Sequence, residues 1–451
     1  MKKTYVIAEI GNTHEGSLGL AKQFIKAATE CGVDAVKMQT HIFDAESLGD
    51  APNPPYFKDE TRKEYFERTA FSVEEWKELK KFKNLNDEQR SIVFYAEDSS
   101  SFVHFEQIIY ELTEKMGYQI CYVTSAKDDP MLTSQNKRIK AFYIGLGAIR
   151  TKFFMELKAD ILVMTMPNLE TYFIKRSKVY PVHYVYIFHS IVSTHTIYRK
   201  GAFDHYDSIF CTGPHHIEEI TATESVYSLK HKNLVEHGYG LLDKLQKNKP
   251  LKDQKNYTND EKKKIIIAPS WGKKGLLETK GIELVKILLD AGYHVTVRPH
   301  PMTFKKSPKI IKQILEKFEK NPDFLLDTNT SSFEQLFSSY ALITDWSGIG
   351  YEYAFVCERP VIYVDVPKKS HNKEYEKIGL VPFEISIRDK IGEVVSVQNI
   401  ETIPDRIEFL YSNSNNFENK IQKIRNDAIF NIGESGKVMA SEIIRIISEK
   451  A

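Results

Sequence analysis

Cysteine is scarce in these 451 residues: Cys31, Cys121, Cys211 and Cys357 stand far apart, with no CxxC spacing. That argues against both a disulfide framework and a cysteine-built zinc site. No apolar run approaches the ~20 residues that span a bilayer, so no membrane-crossing helix is expected. An excess of charge is missing as well. Sixty-two basic residues against 61 acidic ones leave a formal net charge of +1, which provides no global pull toward nucleic acid. The opening stretch, residues 4–10, is short, contains Glu9 and has no small-residue cleavage site, so it reads as a strand and not as a secretory signal. A reducing cytoplasm is the expected location, and peripheral contact with the inner face of the cell membrane is left open.

What is present is strand–helix alternation over a length that calls for more than one core. Residues 5–10 read as a buried strand, 18–31 as a helix and 33–38 as a second strand, an opening βαβ unit. Ser72 and Glu75 form a capping box for a helix that runs to about Phe82. A polar stretch, 83–90, separates this from strands expected at 91–96, 118–124, 141–146, 161–165, 182–188 and 208–212, with a helix starting near Pro214. Residues 244–264 are rich in Lys, Asn and Asp and read as a linker. Strand–helix alternation resumes at Ile265 and ends in a helix over 441–447. The expected organisation is a fragment over 1–82, a Rossmann-like domain over 91–243, the linker 244–264 and a second Rossmann-like domain over 265–451.

Two motifs stand at the ends of apolar runs in the last third, Arg298-Pro299-His300-Pro301 and Thr344-Asp345-Trp346-Ser347-Gly348. Ligands of open parallel sheets collect outside the carboxyl ends of the strands, where helix N-termini offer N–H groups to phosphate. The motifs therefore predict a nucleotide-phosphate site.

These motifs, with Ile265-Ile266-Ile267-Ala268-Pro269-Ser270-Trp271 and Arg359-Pro360-Val361-Ile362-Tyr363, occur in an order that resembles the CDP-glycerol glycerophosphotransferases, teichoic acid polymerases among them. The resemblance covers about 91–451 and implies a GT-B architecture: an α/β pair of Rossmann-like domains with parallel sheets. The family's Trp-His-Gly-Thr-Pro motif is matched at Phe188-His189-Ser190-Ile191-Val192 only through the histidine. Residues 1–82 resemble the start of sialic acid synthase, through Ala8-Glu9-Ile10-Gly11-Asn12-Thr13-His14-Glu15-Gly16 and Val36-Lys37-Met38-Gln39-Thr40. A closed barrel needs eight strands, so this part is expected to be a partial TIM-barrel-like βαβα fragment without synthase activity. Lys37 and Gln39 would then be vestigial phosphate-binding residues.

The resemblance implies transfer of glycerol phosphate, or a related polyol phosphate, from a cytidine-nucleotide donor to a glycan or lipid-linked acceptor with release of CMP, without a cofactor. His189 is the expected general base, and His300 the expected catalytic donor to the phosphates. Arg298, Ser347 and Gly348 are assigned to donor phosphate, and Glu352 to the ribose hydroxyls. A strand-end cap for His300, an ordinary N-cap for Ser347 and a solvated helix acid for Glu352 are the plainer readings. His195, His205, His215 and His216 cluster after His189, but no carboxylate or cysteine completes a metal set, so no metal is expected. Lys175, Arg176 and Lys178 ahead of an aromatic strand could suit a membrane surface, although a buried strand after a solvated basic turn explains them more simply. Two alternatives stay open. One is a glycosyltransferase using a CMP-activated nonulosonic (sialic-type) acid, and the other is a non-catalytic scaffold that docks a sialic acid synthase.

Overall fold

The computed structural model describes residues 5–11, 18–38, 61, 73–171, 174–250, 263–329, 333–368 and 370–450. Gln39, Ser72 and most of the linker fall outside them. The chain divides into two compact units, Met1–Ile187 with Gly201–Ser208 and Ala440–Ala451, and Phe188–Lys200 with Ile209–Met439.

In the first unit, β1 (Ile7–Gly11) and β2 (Ala35–Met38) pair in parallel around the helix Leu18–Glu30, giving the expected βαβ opening. The expectation of a buried first strand is corrected. Tyr5 is 66% exposed and Ile7 57% exposed, because a two-stranded parallel pair has too few neighbours to cover both its faces. The unit's main sheet carries β3 (Ile92–Ala96), β4 (Ile120–Thr124), β5 (Ile139–Tyr143), β6 (Ile161–Met164) and β7 (His183–Ile187), ordered β5-β4-β3-β6-β7, with each of these neighbours paired in parallel. All five residues of β3 and of β4 are buried, as expected for strands covered on both faces. The helix Val73–Lys83 packs on this sheet's helical layer. Phe82 meets Phe142 and Phe153 edge-on at 5.6 and 5.1 Å, and Lys83 pairs with Glu156.

The second unit contains β8 (Ser208–Cys211, from Ile209), β9 (Asn233–Glu236) and a six-stranded parallel sheet. The sheet comprises β10 (Lys264–Ile267), β11 (His294–Val297), β12 (Phe324–Leu326), β13 (Ala341–Thr344), β14 (Val361–Asp365) and β15 (Gly392–Ser396), ordered β12-β11-β10-β13-β14-β15. This is the doubly wound order, in which the strand sequence reverses between the first and fourth strands. The reversal here lies between β10 and β13. Leu284, Val285 and Leu288 on the helix Leu276–Asp290 bury against Ile265, Ile267, Val295 and Val297 of the sheet. Strand β9 was not anticipated. The helix Gly240–Lys247 runs into the segment read as linker, because Leu241, Leu242 and Leu245 give it a buried face. The last helix, Ser435–Ser448, is longer than expected at both ends. No described helix is long and apolar enough to cross a membrane.

Candidate functional site

The strand order reverses between β10 and β13, where a sheet of this order places its ligand crevice outside the carboxyl ends of the strands, and Asp345 directly follows β13 there. Asp345 is fully buried. Its Oδ1 accepts from the N–H groups of Ser270 and Trp346, both at 2.7 Å, and Oδ2 accepts from Leu276 N–H at 3.2 Å. One carboxylate thus ties the loop after β10 to the turn after β13 and caps the helix Leu276–Asp290. The next helix, Ile349–Cys357, starts immediately after Ser347 and Gly348. Among the described residues the Ser347 hydroxyl makes no hydrogen bond, and the N–H groups of Gly348 and Ile349 have no backbone acceptor. Free N–H groups at a helix start, beside a free hydroxyl, suit an anion.

His300 is both a cap and a candidate donor. Its Nδ1 accepts from Met302 N–H at 3.0 Å, which fixes the neutral ring with its proton on Nε2. The plainer capping reading and the phosphate-donor role are therefore compatible. The Trp271 ring from the β10 loop stands 6.3 Å from the His300 ring. Arg298 is placed differently from its neighbour. It is buried, and Nε and Nη2 both donate to Asp327 Oδ2, at 2.8 and 2.5 Å. Those two donors hold β11 to the end of β12.

His189, exposed at the start of the loop after β7, belongs to the same unit as the crevice. Buried loop carbonyls must find donors, and side chains distant in sequence supply them. The Tyr239 hydroxyl is 3.1 Å from the His189 carbonyl, His215 Nε2 is 3.1 Å from the Ile191 carbonyl, and His216 Nε2 is 2.9 Å from the Val192 carbonyl. The Ser193 N–H donates to Glu384 Oε1 at 2.9 Å, and Ser193 Oγ accepts from Phe383 N–H at 2.6 Å. Thr194 N–H and Oγ1 both donate to Glu219 Oε2, at 2.5 and 2.7 Å. Two members of the histidine cluster therefore hold a loop in place. Among the described residues no group of His, Cys, Asp and Glu could hold a metal.

This loop reaches the anion cradle. A Cβ on Gly348 would lie 2.5 Å from Ser190 Oγ, so only a glycine admits Ser190 without a shift. Glu352, one turn further on, accepts from the Tyr239 hydroxyl at 2.8 Å, and burial raises its pKa above the usual carboxylate range. One tyrosine proton faces two acceptors, Glu352 and the His189 carbonyl. The Tyr239 bond competes with the ribose contact read for Glu352. Lys37, in the first unit, is exposed and lies 3.2 Å from Glu9, while Gln39 lies outside the described residues.

Tyr239, Ser190, Ser193 and Glu384 escaped the sequence reading. Tyr239 and Glu352 are separated by 113 positions and Ser193 and Glu384 by 191, and no local pattern signals such pairs.

Burial pushes His215 and His237 down to about 4 from 6.5, and lowers His216 well below that value. For a base with a depressed folded pKa, the unfolded chain binds the proton first, so stability is lost as the pH falls from about 6.5 toward 4. The melting temperature is expected to drop through that window. His237→Phe should remove up to about 3 kcal/mol of the pH-dependent part. A melting temperature that is flat across the window would contradict the burial argument.

A family model described as CDP-Glycerol:Poly(glycerophosphate) glycerophosphotransferase matches residues 78–377. The minor teichoic acid biosynthesis protein GgaB of Bacillus subtilis (strain 168) is 24% identical over 228 residues, 44% of this chain and 22% of that protein. The N-acetylneuraminate-9-phosphate synthase of Homo sapiens is 33% identical over 82 residues, 17% of this chain and 23% of that protein. The chain thus spans under a quarter of the length of either relative. A structure of the wall teichoic acid polymerase TagF, soaked with CDPG, is similar with a TM-score of 0.52 at 14% identity, covering 83% of this chain and 94% of that one. At that identity the likeness carries the fold alone, an α/β fold of GT-B type with parallel sheets.

Proposed function

Because the chain belongs to the CDP-glycerol:poly(glycerophosphate) glycerophosphotransferase family, we propose that it is a transferase moving glycerol phosphate, or a related polyol phosphate, from a cytidine diphosphate donor to a cell-surface glycan precursor. The observation that carries this reading is the meeting of the His189 loop with the helix start at Gly348, through Ser190. A base and an anion cradle on adjacent segments are what the reaction requires. The acceptor oxygen attacks the β-phosphorus as its proton passes to His189. The bond from that phosphorus to the bridging oxygen breaks, and CMP leaves with the electron pair. Charge grows on the departing phosphate, where the N–H groups of Gly348 and Ile349, the Ser347 hydroxyl and His300 Nε2–H would offset it.

Residues 91–243 would form the acceptor-side domain and 265–451 the donor-side domain. The amino-terminal fragment is read as a synthase-like piece with no complete barrel site of its own. Its likeness to an N-acetylneuraminate-9-phosphate synthase supports one further reading, a donor that is a CMP-activated nonulosonic acid. A CMP-release assay with purified chain, acceptor extract and either CDP-glycerol, CDP-ribitol or CMP-sialic acid separates the two. Release from a CDP-polyol alone is expected. Release from CMP-sialic acid alone would sink the favoured reading.

A further inference from the structure

Two cations near the crevice have hydrogen-bonding capacity that the fold leaves unused. Arg388, on the helix Phe383–Ile391, is 7% exposed. Its Nη2 donates to Asp365 Oδ1 at 2.9 Å, but Nε and Nη1 are buried with no acceptor among the described residues. Lys368, on the loop after β14, has a buried Nζ that also lacks an acceptor and lies 4.5 Å from the centroid of the Tyr375 ring. The hydroxyls of Tyr351 and Tyr363, whose surroundings include Arg388, are unpartnered too. An unpaired buried donor costs about 1–3 kcal/mol, and a charged one more. Several such groups in one place therefore point to an oxygen-rich ligand.

The position of Arg388 says where that ligand lies. Its guanidinium carbon sits 3.5 Å from the centroid of the Trp346 ring, and the Trp346 indole N–H donates to the Val366 carbonyl at 2.9 Å. Trp346 directly precedes Ser347 and Gly348, so the guanidinium is stacked on the residue that leads into the anion cradle. Three acids stand near the pair: Asp365, already bonded to Arg388, Glu376, which faces Lys368, and the buried Glu384. Glu384 Oε1 is taken by Ser193 N–H, its Oε2 has no partner, and burial raises its pKa.

We propose that Arg388 and Lys368 form a second anion subsite beside Ser347 and Gly348, which takes a phosphate group carrying glycerol. This rests on the transferase reading above. The group is either the phosphoryl being moved or a phosphodiester of the growing acceptor, and guanidinium and ammonium suit both.

The test is calorimetric titration of the full chain and of Lys368→Gln with glycerol 3-phosphate, CMP and CDP-glycerol. Lys368→Gln is the primary variant because it breaks no hydrogen bond of the fold. Arg388→Gln, checked by its melting temperature, is the second. Loss of about tenfold or more in glycerol 3-phosphate affinity, with CMP binding unchanged, is the expected result for each variant. An equal loss for CDP-glycerol assigns the subsite to the moving phosphoryl. Unchanged CDP-glycerol binding in the variants, with glycerol 3-phosphate binding to the CMP-loaded parent as tightly as to the free parent, assigns it to the acceptor. If both variants bind glycerol 3-phosphate and CDP-glycerol as tightly as the parent, or the parent binds neither, the subsite is overturned. Glycerol 3-phosphate binding that depends on Lys368, in a chain that takes no cytidine nucleotide, would keep the subsite and overturn the transferase reading instead.

Discussion

His189→Ala is expected to lower the rate of CMP release by about 100-fold or more, while the melting temperature and the affinity for CDP-glycerol stay close to those of the parent chain. The separation of effects follows from how the loop is held. The His189 side chain is exposed, and its ring approaches Tyr198 edge-on at 6.2 Å. The loop is fixed through its backbone groups by Tyr239, His215, His216 and Glu384, and through the Ser193 hydroxyl by Phe383 N–H. An alanine keeps every one of those bonds. His300→Ala should behave differently, since it removes the acceptor for Met302 N–H as well as the Nε2 donor, so donor affinity should fall together with turnover. The measurement is steady-state CMP release with parallel donor titration. His189→Ala turnover within about threefold of the parent would remove His189 from the chemistry.

Gly213→Ala should be strongly destabilising, costing about 3 kcal/mol or more. Gly213 has extended backbone, so its conformation is open to any residue. Space is what forbids a side chain. A Cβ there would stand 1.8 Å from the Ala428 carbonyl oxygen, and the approach is pinned by Phe430 N–H donating to the Thr212 carbonyl at 2.9 Å. Both sides of the clash are backbone, so no rotamer change relieves it. His215 and His216 follow two and three residues later and carry the carbonyls of the His189 loop, so activity should fall with stability. Urea unfolding at neutral pH reads the effect, and a midpoint indistinguishable from the parent would refute it.

The amino-terminal boundary shows how composition can mislead. Residues 83–90 are polar and read as a linker, yet Phe82 and Lys83 pack against the helical and sheet residues that follow. Polarity marks exposure of a segment and carries no information about what the apolar residue before it touches. Arg298, assigned to donor phosphate from its place beside His300, also owes two of its donors to Asp327, a partner that only packing brings to it.

The sequence by itself determined the strand–helix alternation, the parallel sheets, the family and the two strand ends at which the anion site is proposed. These follow from residue periodicity and turn chemistry, which act over a few positions. Only the tertiary structure decided that Tyr239 serves both Glu352 and the His189 carbonyl, that histidines hold a loop, that the first strand stays exposed, and that Arg388 and Lys368 retain unpaired donors. A polar side chain bonds whatever partner packing delivers, and that partner can stand nearly 200 residues away, as Glu384 stands 191 from Ser193.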